Sequence, residues 1–371
     1  MYVNMRMLKV NAVLAVLLLW FVSVVALRAV IDSGKTWTYD KVFTDTGTLS
    51  AVIATADDDT WAAGDGLLLH DDGTGWQHRP MPASLGARVF DHVRFDAVDS
   101  GGFLFTASLD EGNVSRMARW DGTRWTALPE LPAGHRASDV RAFAADDIWV
   151  LDGETGAYHW DGTGWRAMDL PVTVTALDGV ASDDLWAVGY HHPDGFDEDL
   201  GQKGAQPATM HWDGRAWKTV RTPEYHYTVP APEELAYFTE VVALAKDDVR
   251  VYGDHTSISE DDEPDPPPED IRRRRNGTRW ITLPNSEGAC GDRGAWVDDG
   301  KRGAVLSASR YLTADGLCEE IAQSKPPSID GIDSDSQQSL RLNAITAVPG
   351  TDKIIGVGTV GDSLVIVSLK R

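Results

Sequence analysis

The sequence predicts an all-β chain, a ring of small antiparallel sheets. Three observations carry that prediction. A unit of four short β-prone runs repeats along most of the 371 residues, Asp-Gly turns recur at one place in the unit, and a Trp returns just after them.

The repeat is open in Ala118-Arg-Trp-Asp-Gly-Thr-Arg-Trp125, Tyr158-His-Trp-Asp-Gly-Thr-Gly-Trp165 and Met210-His-Trp-Asp-Gly-Arg-Ala-Trp217, each followed shortly by a proline (Pro129, Pro171, Pro223). Weaker copies are His70-Asp-Asp-Gly-Thr-Gly-Trp76 and Arg275-Asn-Gly-Thr-Arg-Trp280. A second element precedes them, in Asp57-Asp-Asp-Thr-Trp61, Asp146-Asp-Ile-Trp149, Ser182-Asp-Asp-Leu-Trp186 and the degenerate Lys246-Asp-Asp-Val249. Within one unit, Ala142-Phe-Ala-Ala is an apolar run and Asp146-Asp147 a turn. Ile148-Trp-Val-Leu and Ala157-Tyr-His-Trp are the next runs, Asp161-Gly162 is a hairpin turn, and Trp165-Arg-Ala-Met closes the unit. Gly accepts positive φ and Asp bonds its own backbone, which makes Asp-Gly between such runs a hairpin signal. One four-stranded sheet cannot bury both faces; a ring of stacked sheets does. The predicted architecture is therefore a β-propeller.

The fourth-strand Trp marks five blades, at Trp76, Trp125, Trp165, Trp217 and Trp280. A weaker sixth has Ala295-Trp-Val, Gly303-Ala-Val-Leu, Arg310-Tyr-Leu-Thr and Leu317-Cys-Glu-Glu-Ile, the last two joined by Asp315-Gly316. A seventh has three strands, Ala344-Ile-Thr-Ala-Val, Ile354-Ile-Gly-Val-Gly and Ser363-Leu-Val-Ile-Val. Its fourth is expected from the other end of the chain, as Asp32-Ser-Gly-Lys-Thr-Trp37-Thr-Tyr. That strand closes the ring and removes the last open edges. Seven four-stranded blades is the reading; six is the competing count, because the sixth is weak.

The chain uses Trp 14 times. Trp61, Trp149 and Trp186 fill one second-strand position, and Trp120, Trp160 and Trp212 one third-strand position. Trp37 joins Trp76, Trp125, Trp165, Trp217 and Trp280 at the fourth-strand position, so outside the leader only Trp296 escapes the pattern. A residue required once per blade is explained by packing between blades, where an indole buries a large area.

Residues 1–29 precede the propeller, which takes up 30–371. Arg6 and Lys9 come first, then an apolar run of about 16 residues, Ala12 to Leu27, with no charge. This is an export leader, either a cleaved signal peptide or a signal anchor over residues 11–27. Positive charge before the run and little after it sends the body across the membrane. The expected location is extracellular or in the cell envelope.

With 57 acidic and 34 basic side chains the formal net charge is −23, which excludes a non-specific nucleic-acid binder and charge-driven adhesion to an anionic membrane. The membrane enters only through the leader. Two cysteines exclude a disulfide-dense scaffold and a cysteine zinc site. Cys290 and Cys318 flank the sixth blade, and in an exported chain two cysteines are expected to pair.

Asp32-Ser-Gly-Lys-Thr-Trp37 resembles the Asp-box turn of sialidases and related propellers, D-x-G-x-T-W, without its leading Ser. The full pattern of Asp-Asp-x-Trp with His-Trp-Asp-Gly-x-x-Trp is similar to exported actinobacterial propeller proteins, most of them uncharacterised. The resemblance spans nearly all of 31–371. It implies architecture and is close to silent on activity, because such folds host enzymes, lectins and scaffolds alike.

In a propeller the first-to-second and third-to-fourth turns share one face, here the uniform Asp-Asp and Asp-Gly turns. The second-to-third loops and blade connections share the other. There the chain is irregular, at 190–207 in blade four, 255–270 in blade five and the 223–232 connection between them. Long loops on a rigid scaffold are where binding sits. The ligand-binding candidates are therefore His191, His192, Asp194, Phe196, Asp197, Asp199, Tyr225, His226, Tyr227 and His255.

No catalytic, metal or cofactor motif emerges. The loop histidines and aspartates follow no recognised ligand spacing. No nucleophile elbow or phosphate-cradling loop is present. The Arg272–Arg275 run is read as part of the third strand of blade five. The expected function is non-enzymatic binding of a protein or envelope glycan on the loop face of blades four and five. The alternative is a glycan-binding protein or glycoside hydrolase acting near the central channel, which would need two placed carboxylates.

Overall fold

A computed structural model describes residues 31–43, 47–86, 92–98, 102–109, 114–132, 135–193, 204–228, 234–257, 266–283, 296–299, 303–306, 308–313, 317–326 and 340–370. The leader lies outside them. Among the described residues no helix is long and apolar enough to cross a membrane.

Among the described residues β1 (Ile31–Phe43) comes first, followed by five four-stranded antiparallel sheets, each ordered from first strand to fourth. Sheet one holds β2 (Ala51–Ala56), β3 (Asp59–Gly64), β4 (Leu67–Asp71) and β5 (Trp76–His78). Sheet two holds β6 (His92–Val98), β7 (Gly102–Leu109), β8 (Val114–Trp120) and β9 (Trp125–Ala127). Sheet three holds β10 (Asp139–Ala144), β11 (Asp147–Leu151), β12 (Gly156–Trp160) and β13 (Trp165–Asp169). Sheet four holds β14 (Thr173–Ala181), β15 (Asp184–His191), β16 (Gln206–Trp212) and β17 (Trp217–Val220). Sheet five holds β18 (Glu234–Ala245), β19 (Asp248–Ser257), β20 (Glu269–Arg275) and β21 (Trp280–Thr282). The remaining strands are β22 (Trp296–Asp298), β23 (Ala304–Leu306), β24 (Arg310–Leu312), β25 (Cys318–Gln323), β26 (Leu340–Ala347), β27 (Lys353–Val360) and β28 (Ser363–Lys370). They join β1 in one eight-stranded sheet of order β22-β23-β24-β25-β1-β28-β27-β26.

First strands touch in series: β2 with β6, β6 with β10, β10 with β14, β14 with β18, and β26 with both β22 and β2. That is the arrangement of innermost strands in a propeller. The core lies between neighbouring sheets. Trp61 and Leu68 of sheet one meet Phe103 and Phe105 of sheet two; Trp149 and Leu151 of sheet three meet Leu185 and Met210 of sheet four. Trp37, Trp61, Trp149, Trp160, Trp186 and Trp212 are buried, as packing residues should be.

The third-to-fourth turns form as their composition dictates. Gly162 has φ +87°, and the Asp161 carboxylate accepts the Thr163 N–H, the Thr163 hydroxyl and the Gly164 N–H at 2.7–3.0 Å. These bonds favour the charged form and hold the Asp161 pKa at about 2.

A device that the repeat did not advertise runs around the inner strands. Asp96 of β6 accepts the Ala142 N–H of β10 at 2.8 Å, Asp139 of β10 accepts the Leu177 N–H of β14 at 2.6 Å, and Asp178 of β14 accepts the Ala243 N–H of β18 at 2.8 Å. Each carboxylate pins its sheet to the next. Two arginines interleave with them: Arg94 pairs with Asp139, and Arg141 lies 3.4 Å from Asp96 and 3.2 Å from Asp178.

The closing strand departs from expectation in one respect. Thr38–Phe43 pairs antiparallel with β28 and completes the β26–β28 group, whereas Ile31–Trp37 pairs parallel with β25. Trp37 therefore belongs to the stretch facing Gln323, before the strand reaches β28. The reason is packing: the indole is fully buried against Val305, Ile321 and Leu340, in the seam between the two halves of this sheet.

Candidate functional site

A cleft of about 1010 Å³ opens between sheets three and four, on the side of the second-to-third loops. One wall is the β11–β12 turn, Gly153-Glu154-Thr155, with the Pro171–Thr173 connection. The other is the end of β15 (Tyr190, His191, His192), the start of β16 (Pro207 to Thr209), and β17 with its continuation (Thr219 to Thr222, then Glu224). Hydroxyls are held within this wall: Thr209 Oγ1 donates to the Val220 carbonyl at 2.8 Å, and Thr222 Oγ1 to the Pro207 carbonyl at 2.6 Å. The Tyr190 and His192 rings meet edge to face at 5.9 Å.

The expected site residues divide three ways. His191 and His192 line this cleft. Asp194, Phe196, Asp197 and Asp199 lie outside the described residues. Tyr225, His226, Tyr227 and His255 come together beside the cleft, and much of their chemistry is spent on each other. The Gln206 side chain grips the Tyr225 backbone twice, donating to its carbonyl at 3.0 Å and accepting its N–H at 2.8 Å. Arg273 Nε donates to the Tyr225 hydroxyl at 2.6 Å; burial nonetheless pushes that phenol's pKa up. Glu234 accepts the Tyr227 N–H at 3.1 Å and bonds His226 Nδ1 at 2.6 Å. That bond raises the His226 pKa. Burial pushes the Glu234 carboxyl up, but His226 and the Tyr227 N–H outweigh it and leave its pKa low. The Tyr227 hydroxyl donates to the His255 carbonyl at 2.9 Å, and its ring stacks 3.9 Å from the His255 imidazole.

His255 is placed differently from expectation. It lies in β19, opposite Glu269 of β20, and is 1% exposed. The blade-five loop is shorter than its composition suggests, because charged residues at both ends pair as strand. His255 is thus a floor under Tyr227, and only His226 of this group is turned to solvent. Of the residues that hold the connection in place, Gln206 and Glu234 gave no sequence signal beyond their position near loop ends, and Arg273 was visible only as one of the Arg272–Arg275 run.

The Arg272–Arg275 run lies in β20, as read, and each arginine is engaged. Arg272 pairs with Asp270 at 2.9 Å, Arg273 with Tyr225, Arg274 with Asp248 at 2.8 Å, and Arg275 stacks 5.5 Å over Trp186. Asp96, Asp139 and Asp178, on the inner strands of sheets two, three and four, are committed to neighbouring N–H groups as described above. Burial raises Asp96 to about 6 despite its arginine neighbours. No group of three or more metal-binding side chains is assembled among the described residues. Cys318 is disulfide-bonded; the chain's other cysteine, Cys290, lies outside the described residues.

No family model matches the chain, and no curated protein matches it. Solved structures do. YCF48 from Cyanidioschyzon merolae aligns over 90% of this chain and 99% of its own, with TM-score 0.53 at 11% identity. The extracellular domain of the BT4673 one-component system from B. thetaiotaomicron aligns over 91% of this chain but 40% of its own, with TM-score 0.53 at 12% identity. The β-propeller domain of Cps50 (Swd1) from Myceliophteria thermophila aligns over 89% of this chain and 99% of its own, with TM-score 0.49 at 10% identity. At such identities what the chain shares with YCF48 and the BT4673 domain is the fold alone, an all-β assembly of four-stranded sheets.

Proposed function

We propose that this protein is an exported, non-enzymatic binding module on a seven-bladed propeller, with its ligand on the loop face, in the cleft between blades three and four and not over blades four and five. The eight-stranded sheet then counts as blades six and seven, joined through β1. Residues 1–29 direct export, and Cys290 pairs with Cys318 to staple the sixth blade. The ligand is a protein or an envelope polymer. The observation that carries the reading is the cleft between sheets three and four, where His191 and His192 stand at the root of the longest loop of sheet four. A rigid wall supports it, because Gln206 and Glu234 fasten the Thr222–Tyr227 connection. Pre-organised walls lower the ordering cost of binding.

The experiment is cross-linking capture from the producing cell's envelope with the full chain as bait. Thr219→Arg is the matched control, since Thr219 is exposed and lines the cleft. Capture by the native chain that is lost in the variant supports the reading. Equal capture by both overturns it. A non-reducing peptide map tests the Cys290–Cys318 pair.

A further inference from the structure

We infer that the cleft receives an extended, positively charged polypeptide segment. This rests on the binding role proposed above and adds the chemistry of the ligand.

Shape comes first. Thr219 and Val220, on one wall, belong to β17, whose only neighbour in its sheet among the described residues is β16. An outermost strand presents main-chain donors and acceptors on its far side, and an extended peptide is the ligand that uses such an edge. The surrounding threonines and prolines suit a peptide backbone and small side chains better than a large apolar anchor.

Charge comes second. Glu154 stands on the sheet-three wall and Glu224 on the sheet-four wall, both exposed; among the described residues Arg221 is the only permanently basic group lining the cleft. Glu224 Oε2 lies 3.8 Å from His226 Nε2, a long ion pair between two exposed side chains, which a closer cation of the ligand can supplant. The whole chain carries −23. That field steers basic segments toward the surface and repels acidic ones. A Lys or Arg of the ligand seats between the two glutamates, beside the aromatic pair of Tyr190 and His192, which adds a cation–π surface.

The test is fluorescence anisotropy of two labelled ten-residue peptides, one alternating Lys and Thr, the other Glu and Thr, titrated with the full chain at physiological salt. Two double variants remove equal charge. Glu154→Gln with Glu224→Gln alters the cleft, and Asp58→Asn with Asp247→Asn alters exposed residues of the tight-turn face. Unfolding midpoints confirm that both remain folded. We expect the basic peptide to bind and the acidic one not to. The cleft pair should lose about tenfold or more in affinity and the turn-face pair less than about twofold. Equal losses in both variants would mean bulk attraction and overturn the inference, as would no binding of the basic peptide. If envelope capture is cleft-dependent but the basic peptide neither binds nor competes, the binding role stands and the cationic ligand falls. If envelope capture is insensitive to Thr219→Arg, the binding role itself falls.

Discussion

His211 Nε2 lies 2.7 Å from Asp184 Oδ1, and the His211 ring stacks 4.4 Å from Trp186. The same triad is built in sheet one by Asp59, His70 and Trp61, and in sheet three by Asp147, His159 and Trp149. The second Asp of Asp-Asp-x-Trp thus does more than turn the chain: it orients the His of the next strand, and the His covers the Trp. In sheet five Arg250 stands where the Trp would be and Arg274 where the His would be, and both reach Asp248. Removing one member leaves a nearly buried carboxylate short of a partner. His211→Ala is expected to lower stability by roughly 1–3 kcal/mol, measured by urea unfolding. His211→Arg, which imitates sheet five, should lose clearly less.

Asp96 makes stability depend on pH. Its folded pKa is raised to about 6 by burial, above the value of an unfolded carboxylate. Between pH 4 and 6 the folded state therefore binds more protons than the unfolded one, and the stability contributed at this position falls as pH rises. Asp96→Asn keeps an acceptor for the Ala142 N–H and removes the titration. The variant should gain on the native chain by about 2 kcal/mol when both are moved from pH 4.5 to pH 7.5. Unfolding curves at the two pH values check the sign.

Gly162 occupies a backbone conformation that other residues rarely adopt, and a Cβ there would sit 2.7 Å from the Asp146 Cβ. Gly162→Ala should cost more than about 1 kcal/mol, seen as a lower Tm. Asp161→Asn should cost less by the same measurement, because it gives up the charge that its hydrogen bonds favour but keeps the acceptor, as Asn276 does in sheet five. Its Oδ1 accepts the Thr278 and Arg279 N–H groups at 3.3 and 3.1 Å.

Trp37 sits where β1 leaves β25 for β28, with no exposed surface. Trp37→Ala should cost roughly 3–5 kcal/mol, as expected of a large cavity. Because the cavity opens in the seam, hydrogen exchange in the variant should quicken first in β25 and β28. Uniform quickening across sheets two to four would contradict this placement.

The repeat was legible because it is local. Asp161 and Trp165 are four residues apart, and one hairpin explains both. The pins from Asp96 to Ala142 and from Asp178 to Ala243 join residues that share no short-range pattern, so no periodicity reveals them. His255 looked like a loop residue because acid and proline follow it. Its pairing with Glu269 of β20 depends on the register across a long excursion, which composition does not encode. The cleft was legible only as a neighbourhood. Sequence placed His191 and His192 beside the 223–232 connection, but Glu154, on the facing sheet, enters through the three-dimensional packing alone.

The divided pairing of β1 bears on the order in which the protein is made. Ser33 donates to the Glu320 carbonyl across 287 residues of chain, and Thr38 meets Ser368 across 330. The ribosome therefore releases this strand long before either partner exists, and the strand must wait unpaired while five sheets assemble behind it. Contacts so distant form late, and a waiting strand invites the wrong neighbour. Lys35, Asp40 and Lys41, spaced along it, are the kind of charges that discourage such mispairing until β28 arrives.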